Sequence, residues 1–358
     1  MDAGRPVRVG IVGCGAFGRS AYVQNVADHP DVLLAALCDV DVERAEAAAR
    51  EHADARGLTP RPAIYADYRE MIDRERLDAV MIGTLANVRP AVALAALNAG
   101  AHVLGAKPMA FSMAEAETMF QAAERAGRLL IAGYNFRFRD DAQAMHRFIR
   151  DGGVGRPMFA RAWSHESGVP TLGPHYVKAV SGGGALASTG VHVIDLAVWY
   201  LGCPKLLSVE GHVGSRFHGL PSLHPRLEKV REAYDVEDLA TGYAQFADGV
   251  TMSMESVWLA PRPVNDKGVD VWGDRGYASL SPLRLMSWQD GDYADRTEAF
   301  RAGPDGDNPT LRNRREAHHF VDCVLGRAKP LITPEEMWTD QAIVEGIYAG
   351  RREFDLSP

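Results

Sequence analysis

Three groups of residues in this chain have the types and spacing for chemistry. The run Gly13-Cys14-Gly15-Ala16-Phe17-Gly18 fits G-x-G-x-x-G. Such a run binds a pyrophosphate. The first glycine makes a tight turn, the second lets the phosphate approach the backbone, the third lets helix and strand pack closely, and the helix N-terminus faces the anion. Asp39 lies 21 residues beyond Gly18, where a carboxylate accepts hydrogen bonds from adenosine ribose hydroxyls. Its charge disfavours a 2′-phosphate, so NAD outranks NADP, although nearby Arg44 keeps the second open. Lys107, followed by Pro108, supplies an ammonium that can polarise a hydroxyl or carbonyl, and a lysine after a strand is also commonly just solvated. The third group is the run from Gly182 to Asp195, in which Ser188, His192 and Asp195 share one helical face by i, i+4 and i+7 spacing. His192 is there either a proton carrier near neutral pH or an imidazole satisfied inside an interface.

These residues need a scaffold, and the apolar pattern supplies it. Val7 to Val12, Leu33 to Cys38, Ala79 to Ile82, His102 to Leu104 and Leu129 to Ala132 read as short buried strands. Helical stretches alternate with them, including one that opens on the capping-box spelling Ser112-Met113-Ala114-Glu115. This alternation predicts right-handed crossovers and a doubly wound parallel sheet. The second half is richer in strands, with one helix over Val191 to Leu201 and terminal helices near Arg315 to Leu325 and Pro334 to Gly350. Asp290 to Asn313 reads as a long exposed loop. At 358 residues the chain exceeds one ordinary core, and the expected domains are 1–137 and 138–358, with the C-terminal helices able to pack back on the first.

Composition narrows the function classes. A net charge of −8 argues against a nucleic-acid partner. Four scattered cysteines encode neither a zinc site nor a redox pair and point to a reducing, cytoplasmic setting. No apolar run reads as a membrane span, and no metal is expected.

Together the Gly13 to Gly18 run, Thr84-Leu85-Ala86-Asn87, Ala106-Lys107-Pro108-Met109, Gly133-Tyr134-Asn135-Phe136-Arg137-Phe138, the Gly182 to Asp195 run and Val236-Glu237-Asp238-Leu239-Ala240 resemble the Gfo/Idh/MocA oxidoreductases over nearly the whole chain. The resemblance implies an N-terminal Rossmann domain for NAD(P). It also implies a C-terminal α+β domain whose open, mostly antiparallel sheet holds a sugar or polyol, and a homodimer or homotetramer is expected to cover apolar residues such as Met252, Met254, Val257 and Trp258. The reaction implied is hydride transfer at a secondary alcohol or the matching ketone, with Lys107 and His192 catalytic. Gly13, Gly15, Ala16, Phe17, Gly18, Asp39, Thr84, Leu85, Asn87, Ala106, Lys107 and Asn135 are assigned to the cofactor. Lys107, Arg137, Trp163, His165, His175, Tyr176, Ser188 and His192 are assigned to the substrate. The family's glutamate before the lysine is Ala106 here, and its aspartate four residues before the histidine is Ser188. Two alternatives remain open: oxidation followed by elimination of a glycosidic bond, and a dinucleotide- or sugar-binding regulator without turnover.

Overall fold

The structure, a computed structural model, describes residues 5–56, 61–169, 173–220, 228, 230–261, 265–301 and 307–354. It divides into two compact units, one of residues 1–135 and 308–334, the other of residues 136–307 and 335–358.

The first unit is built on six parallel strands: β1 (Val7–Val12), β2 (Val32–Cys38), β3 (Ala63–Tyr65), β4 (Ala79–Ile82), β5 (His102–Ala106) and β6 (Leu130–Gly133). Their order is β3-β2-β1-β4-β5-β6, the doubly wound arrangement whose ligand crevice lies beyond the carboxyl ends of the strands. Strands β1, β4, β5 and β6 are buried nearly throughout, as a sheet covered on both faces requires. Ser112 does cap the helix Met113–Ala126, accepting the Glu115 amide hydrogen, and Gly127 ends that helix in the left-handed region. The helix Pro309–Val324, capped by Asn308, also belongs to this unit.

The second unit carries a nine-stranded sheet of β7 (Pro157–His165), β8 (Leu206–Gly214), β9 (Leu239–Phe246), β10 (Thr251–Val257), β11 (Asp266–Gly273), β12 (Gly276–Leu280), β13 (Leu283–Gln289), β14 (Asp292–Asp295) and β15 (Arg351–Glu353). Their order is β14-β13-β12-β11-β7-β10-β9-β8-β15, and only the β7–β10 pair is parallel. The helix Val191–Leu201 packs on β7 and β11 and is buried at every position. That explains its composition: the stretch Lys178–Leu201 is long and apolar enough to cross a membrane, contrary to the sequence reading, but its apolar part is buried inside the unit and serves as core.

Two further expectations need correction. Asp290 to Asn313 is not one loop, because it contains β14 and the helical turn Thr297–Phe300, with 302–306 outside the described residues. Met252, Met254 and Trp258 do not form an exposed patch. Strand alternation puts Met252 and Met254 on the helix-covered side of β10, and both are buried, as is Trp258.

Candidate active site

In the first unit the glycine run sits between β1 and a helical segment spanning 16–26. Gly13 has φ +91°, and a Cβ on Gly18 would stand 1.9 Å from the Gly13 carbonyl oxygen. These two positions admit only glycine. A Cβ on Gly15, by contrast, would meet nothing within 4 Å, so the backbone there faces the open space a pyrophosphate needs. The Asp39 carboxylate accepts the amide hydrogens of Cys14 (2.8 Å) and Asp41 (3.0 Å). Each oxygen keeps acceptor capacity for a ribose hydroxyl.

Thr84, Leu85 and Asn87 follow β4, and Ala106 and Lys107 stand at the end of β5, so all lie at carboxyl ends of neighbouring strands. One buried residue ties these two loops. Arg89 donates to the Thr84 carbonyl (2.8 Å) and the Pro108 carbonyl (2.6 Å). Burial pushes its guanidinium down to about 10, which leaves it protonated at neutral pH. Asn135, at the end of β6, is buried and donates to Asn313 Oδ1 at 2.7 Å. Its own Oδ1 meets no donor among the described residues, which is an acceptor held ready for a ligand. The residues therefore fit a dinucleotide.

In the second unit the helix expected over Val191 to Leu201 is present, and helical geometry starts before it, with a π-turn over Leu186–Gly190 running directly into Val191–Leu201. The Glu237 carboxylate fixes this entry by accepting the Gly184 (2.8 Å) and Leu186 (2.9 Å) amide hydrogens and the Tyr348 hydroxyl (2.8 Å). It satisfies otherwise orphaned donors of the first turn. The glycines before it leave room for this clasp, since a Cβ on Gly183 would stand 1.8 Å from the Tyr348 hydroxyl and one on Gly184 2.0 Å from the Glu237 carbonyl. Trp258 Nε1 donates to Thr189 Oγ1 (3.0 Å) and Ser256 Oγ to the Ala185 carbonyl (2.7 Å), pinning the same turn to the sheet.

On this turn Ser188 Oγ lies 3.4 Å from His175 Nδ1. Tyr176 packs against the small core of Val169, Ala185, Tyr234, Val236, Trp258 and Leu259. The His192 imidazole is 9% exposed and lies flat on the Phe136 ring, with centroids 4.2 Å apart and planes 11° apart. Arg139 and Lys267 stand over that ring at 5.4 and 5.8 Å, and Lys267 Nζ is 2.5 Å from Glu166 Oε1. His175, Tyr176 and Ser188 are thus brought together at the helix entry, and His192 one turn on.

Three of the residues assigned to the substrate are elsewhere. Trp163 and His165 alternate with Ala162 and Ser164 on β7 and lie on the sheet face opposite the Val191–Leu201 helix. There they line a polar cavity of about 420 Å³ with Arg161, Asp266, Asp270 and Tyr277. The cavity is separated by the sheet from His192. Arg137 is fully buried: its guanidinium makes three contacts of 2.7–3.1 Å with Asp195 and one of 2.9 Å with Glu336. It is a core cation, because a side chain with no exposure cannot reach a ligand. Asp195, which shares the helical face predicted for Ser188 and His192, serves as its counter-ion. Sequence reading missed Phe136 as a partner of His192, and it missed Lys267. The signal for Lys267 was a lysine two and four residues before Val269 and Val271, on the same side of a strand.

The chain matches two family profiles, the oxidoreductase family NAD-binding Rossmann fold over residues 7–134 and the GFO/IDH/MocA C-terminal domain over residues 142–279. The chain belongs to the Gfo/Idh/MocA oxidoreductase family and carries its NAD-binding Rossmann domain. Among its relatives, the D-glucoside 3-dehydrogenase of Escherichia coli (strain K12) is 26% identical, over 96% of this chain and 95% of that protein. The D-apiose dehydrogenase of Paraburkholderia graminis is 31% identical over 96% and 87%. In fold the chain is similar to levoglucosan dehydrogenase solved with NADH and levoglucosan, with a TM-score of 0.80 and 20% identity over 98% of this chain and 99% of that one.

Proposed function

We propose that this chain is an NAD-dependent dehydrogenase of a secondary alcohol in a sugar, glycoside or cyclic polyol. The observation that carries the reading is the His192 imidazole, held in plane by Phe136 one turn beyond Ser188, in a chain that also has the Gly13 to Asp39 dinucleotide cradle. NAD, held by the Gly13 to Gly18 run and Asp39, would supply the hydride acceptor or donor. The chain's part is orientation and proton management. Lys107 stabilises negative charge on the reacting oxygen, and His192 takes or returns the hydroxyl proton. Ala106 and Ser188 bring no carboxylate to either, so the burden on these two side chains is larger. Names of relatives such as glucoside, apiose and inositol dehydrogenase support the substrate class.

The test is NADH absorbance with a panel of glucosides, inositols, levoglucosan and apiose. Lys107→Ala and His192→Ala are each expected to lower turnover on the order of a hundredfold while NAD affinity is held. A chain that binds NAD and a sugar but forms no NADH would be a silent binder, and release of an aglycone without NADH would mark oxidation and elimination instead. Both variants retaining most of the rate would end the assignment.

We further propose self-association through the face of the sheet away from the Val191–Leu201 helix. Tyr243, Trp272, Trp288 and Tyr293 are 36–57% exposed in the sheet, and aromatic surface of this kind is enriched at interfaces. A monomer in sedimentation equilibrium at micromolar concentration would contradict it.

A further inference from the structure

The helix-covered side of the second sheet changes character along its strands. Across β10, β7 and β11 the paired rows Met252, Ala160, Val271 and Met254, Ala162, Val269 are apolar and buried. The next row is Ser256, Ser164 and Lys267. A lysine on the core side of a central strand is costly unless that end of the core is open to water or to a polar ligand. Lys267 meets Glu166 at 2.5 Å, and their side chains are 26% and 15% exposed, so the pair is neither sealed in the core nor free on the surface.

We propose that the Lys267–Glu166 pair is a hydroxyl-binding subsite that takes two neighbouring hydroxyls of a ring polyol or sugar; the inference rests on the reading of His192 as the proton carrier. The centroid distances of 4.2 Å from His192 to Phe136 and 5.8 Å from Phe136 to the Lys267 ammonium keep the imidazole and the ammonium within about 10 Å of one another. Both groups border the Phe136 ring, and a six-membered ring with its hydroxyls, hydrogen-bonded at both ends, is long enough to reach from one to the other. The chemistry matches a diol. An ammonium only donates and a carboxylate only accepts. One hydroxyl oxygen accepts from Lys267 while the adjacent hydroxyl donates to Glu166, and neither charge loses its partner. Glu166 is rigidly placed for this, since its amide donates to the Val257 carbonyl (2.8 Å) and its carbonyl accepts from Ala260 (3.0 Å). Ser188, with a neutral hydroxyl against His175, supplies no charge where relatives are expected to have a carboxylate. Glu166 supplies one from just beyond the end of β7.

The experiment uses whichever of methyl glucoside, myo-inositol, levoglucosan and D-apiose the unaltered chain oxidises fastest, together with its monodeoxy analogues. The unaltered chain is expected to lose at least tenfold in kcat/KM on the analogues lacking the two bound hydroxyls. Glu166→Gln and Lys267→Met should lose a similar factor on the parent sugar, chiefly through KM, and should no longer discriminate against those analogues. NAD affinity and melting temperature should hold. Because each comparison is made within one variant, lost stability cannot imitate the result. Variants that still discriminate as the unaltered chain does, or that leave KM unchanged, overturn the subsite. Absence of NADH with all four sugars, or full turnover by His192→Ala, instead overturns the reading beneath it and the subsite with it.

Discussion

Replacing Arg137 by Met separates a core cation from a substrate ligand. The guanidinium is fully buried, lies 5.1 Å from the Trp199 ring, and is surrounded by Asp195, Glu336 and Asp340. Burial works against its charge, and the carboxylates more than reverse that, so it stays protonated. Neither Asp340 oxygen meets a fixed donor among the described residues, and this side chain lies against Asp195. Burial first and Asp195 second push the Asp340 carboxyl well above its ordinary value, which favours the protonated form beside Asp195. Burial likewise raises Asp195 to about 6 despite the adjacent guanidinium. Methionine would remove four N–H···O contacts and leave these acids without a cation. Breaking a buried pair from one side costs about 3–5 kcal/mol, which in a unit of this size is a fall in Tm of roughly 6–20 °C.

The sign of the pH dependence follows. Without Arg137 the folded carboxyls hold protons to higher pH than the unfolded chain does, so the deficit grows as pH rises from 5 to 8. Asp340→Asn, which keeps the shape and gives Asp195 an N–H donor, should melt no lower than the unaltered chain at pH 7. Calorimetric scans at pH 5, 7 and 8, with sugar kinetics alongside, check all of this. If Arg137→Met melts within about 2 °C of the unaltered chain and only KM rises, the guanidinium is a substrate ligand and the core assignment is wrong.

Asp39→Ser should narrow the preference for NAD over NADP by roughly tenfold or more, because the carboxylate that faces a 2′-phosphate as a like charge is gone; equal NADP and NAD binding in the unaltered chain, by titration calorimetry, would contradict the premise. Phe136→Leu should lower kcat by up to about tenfold, the worth of one aromatic stack, while KM changes little and Tm falls by only about 1–6 °C. Phe136→Tyr should restore it, and a Tyr variant as slow as the Leu variant would rule out ring stacking as the cause. His146 lies on Trp199 at 3.8 Å, and burial and then Arg137 push its imidazole down to about 4 from 6.5. Its neutral form therefore stabilises the fold above pH 6.5, and that stability is lost as pH falls through about 4. The loss is at most about 3 kcal/mol, and about half that once the solvent reaching the ring is allowed for; His146→Phe should flatten the fall in Tm between pH 6.5 and 4.

Local physics made the first unit legible in the sequence. Glycine spacing, an acid at a strand end and a lysine after β5 are short-range features, because a tight turn, a helix N-terminus and a parallel crossover impose residue types at fixed offsets. The His192 helix was visible for the same reason. The second unit depended on strand parity and pairing. A shift of one residue moves a side chain to the other face of a sheet, and no local pattern announces which face a helix will cover. Trp163 and His165 therefore read as substrate residues although they face away from His192, and Met252 and Met254 read as surface although they are core. The first residues of β11, Asp266, Lys267 and Gly268, lack the apolar alternation that marks a strand. Pairing of Lys267 with Ser164 and the arrival of Glu166 from β7 are long-range facts. Arg137 and Asp195 are 58 residues apart, and no spacing rule pairs a buried arginine with its counter-ion. Packing excluded water from both, and only a partner at that distance in sequence made their charges tolerable.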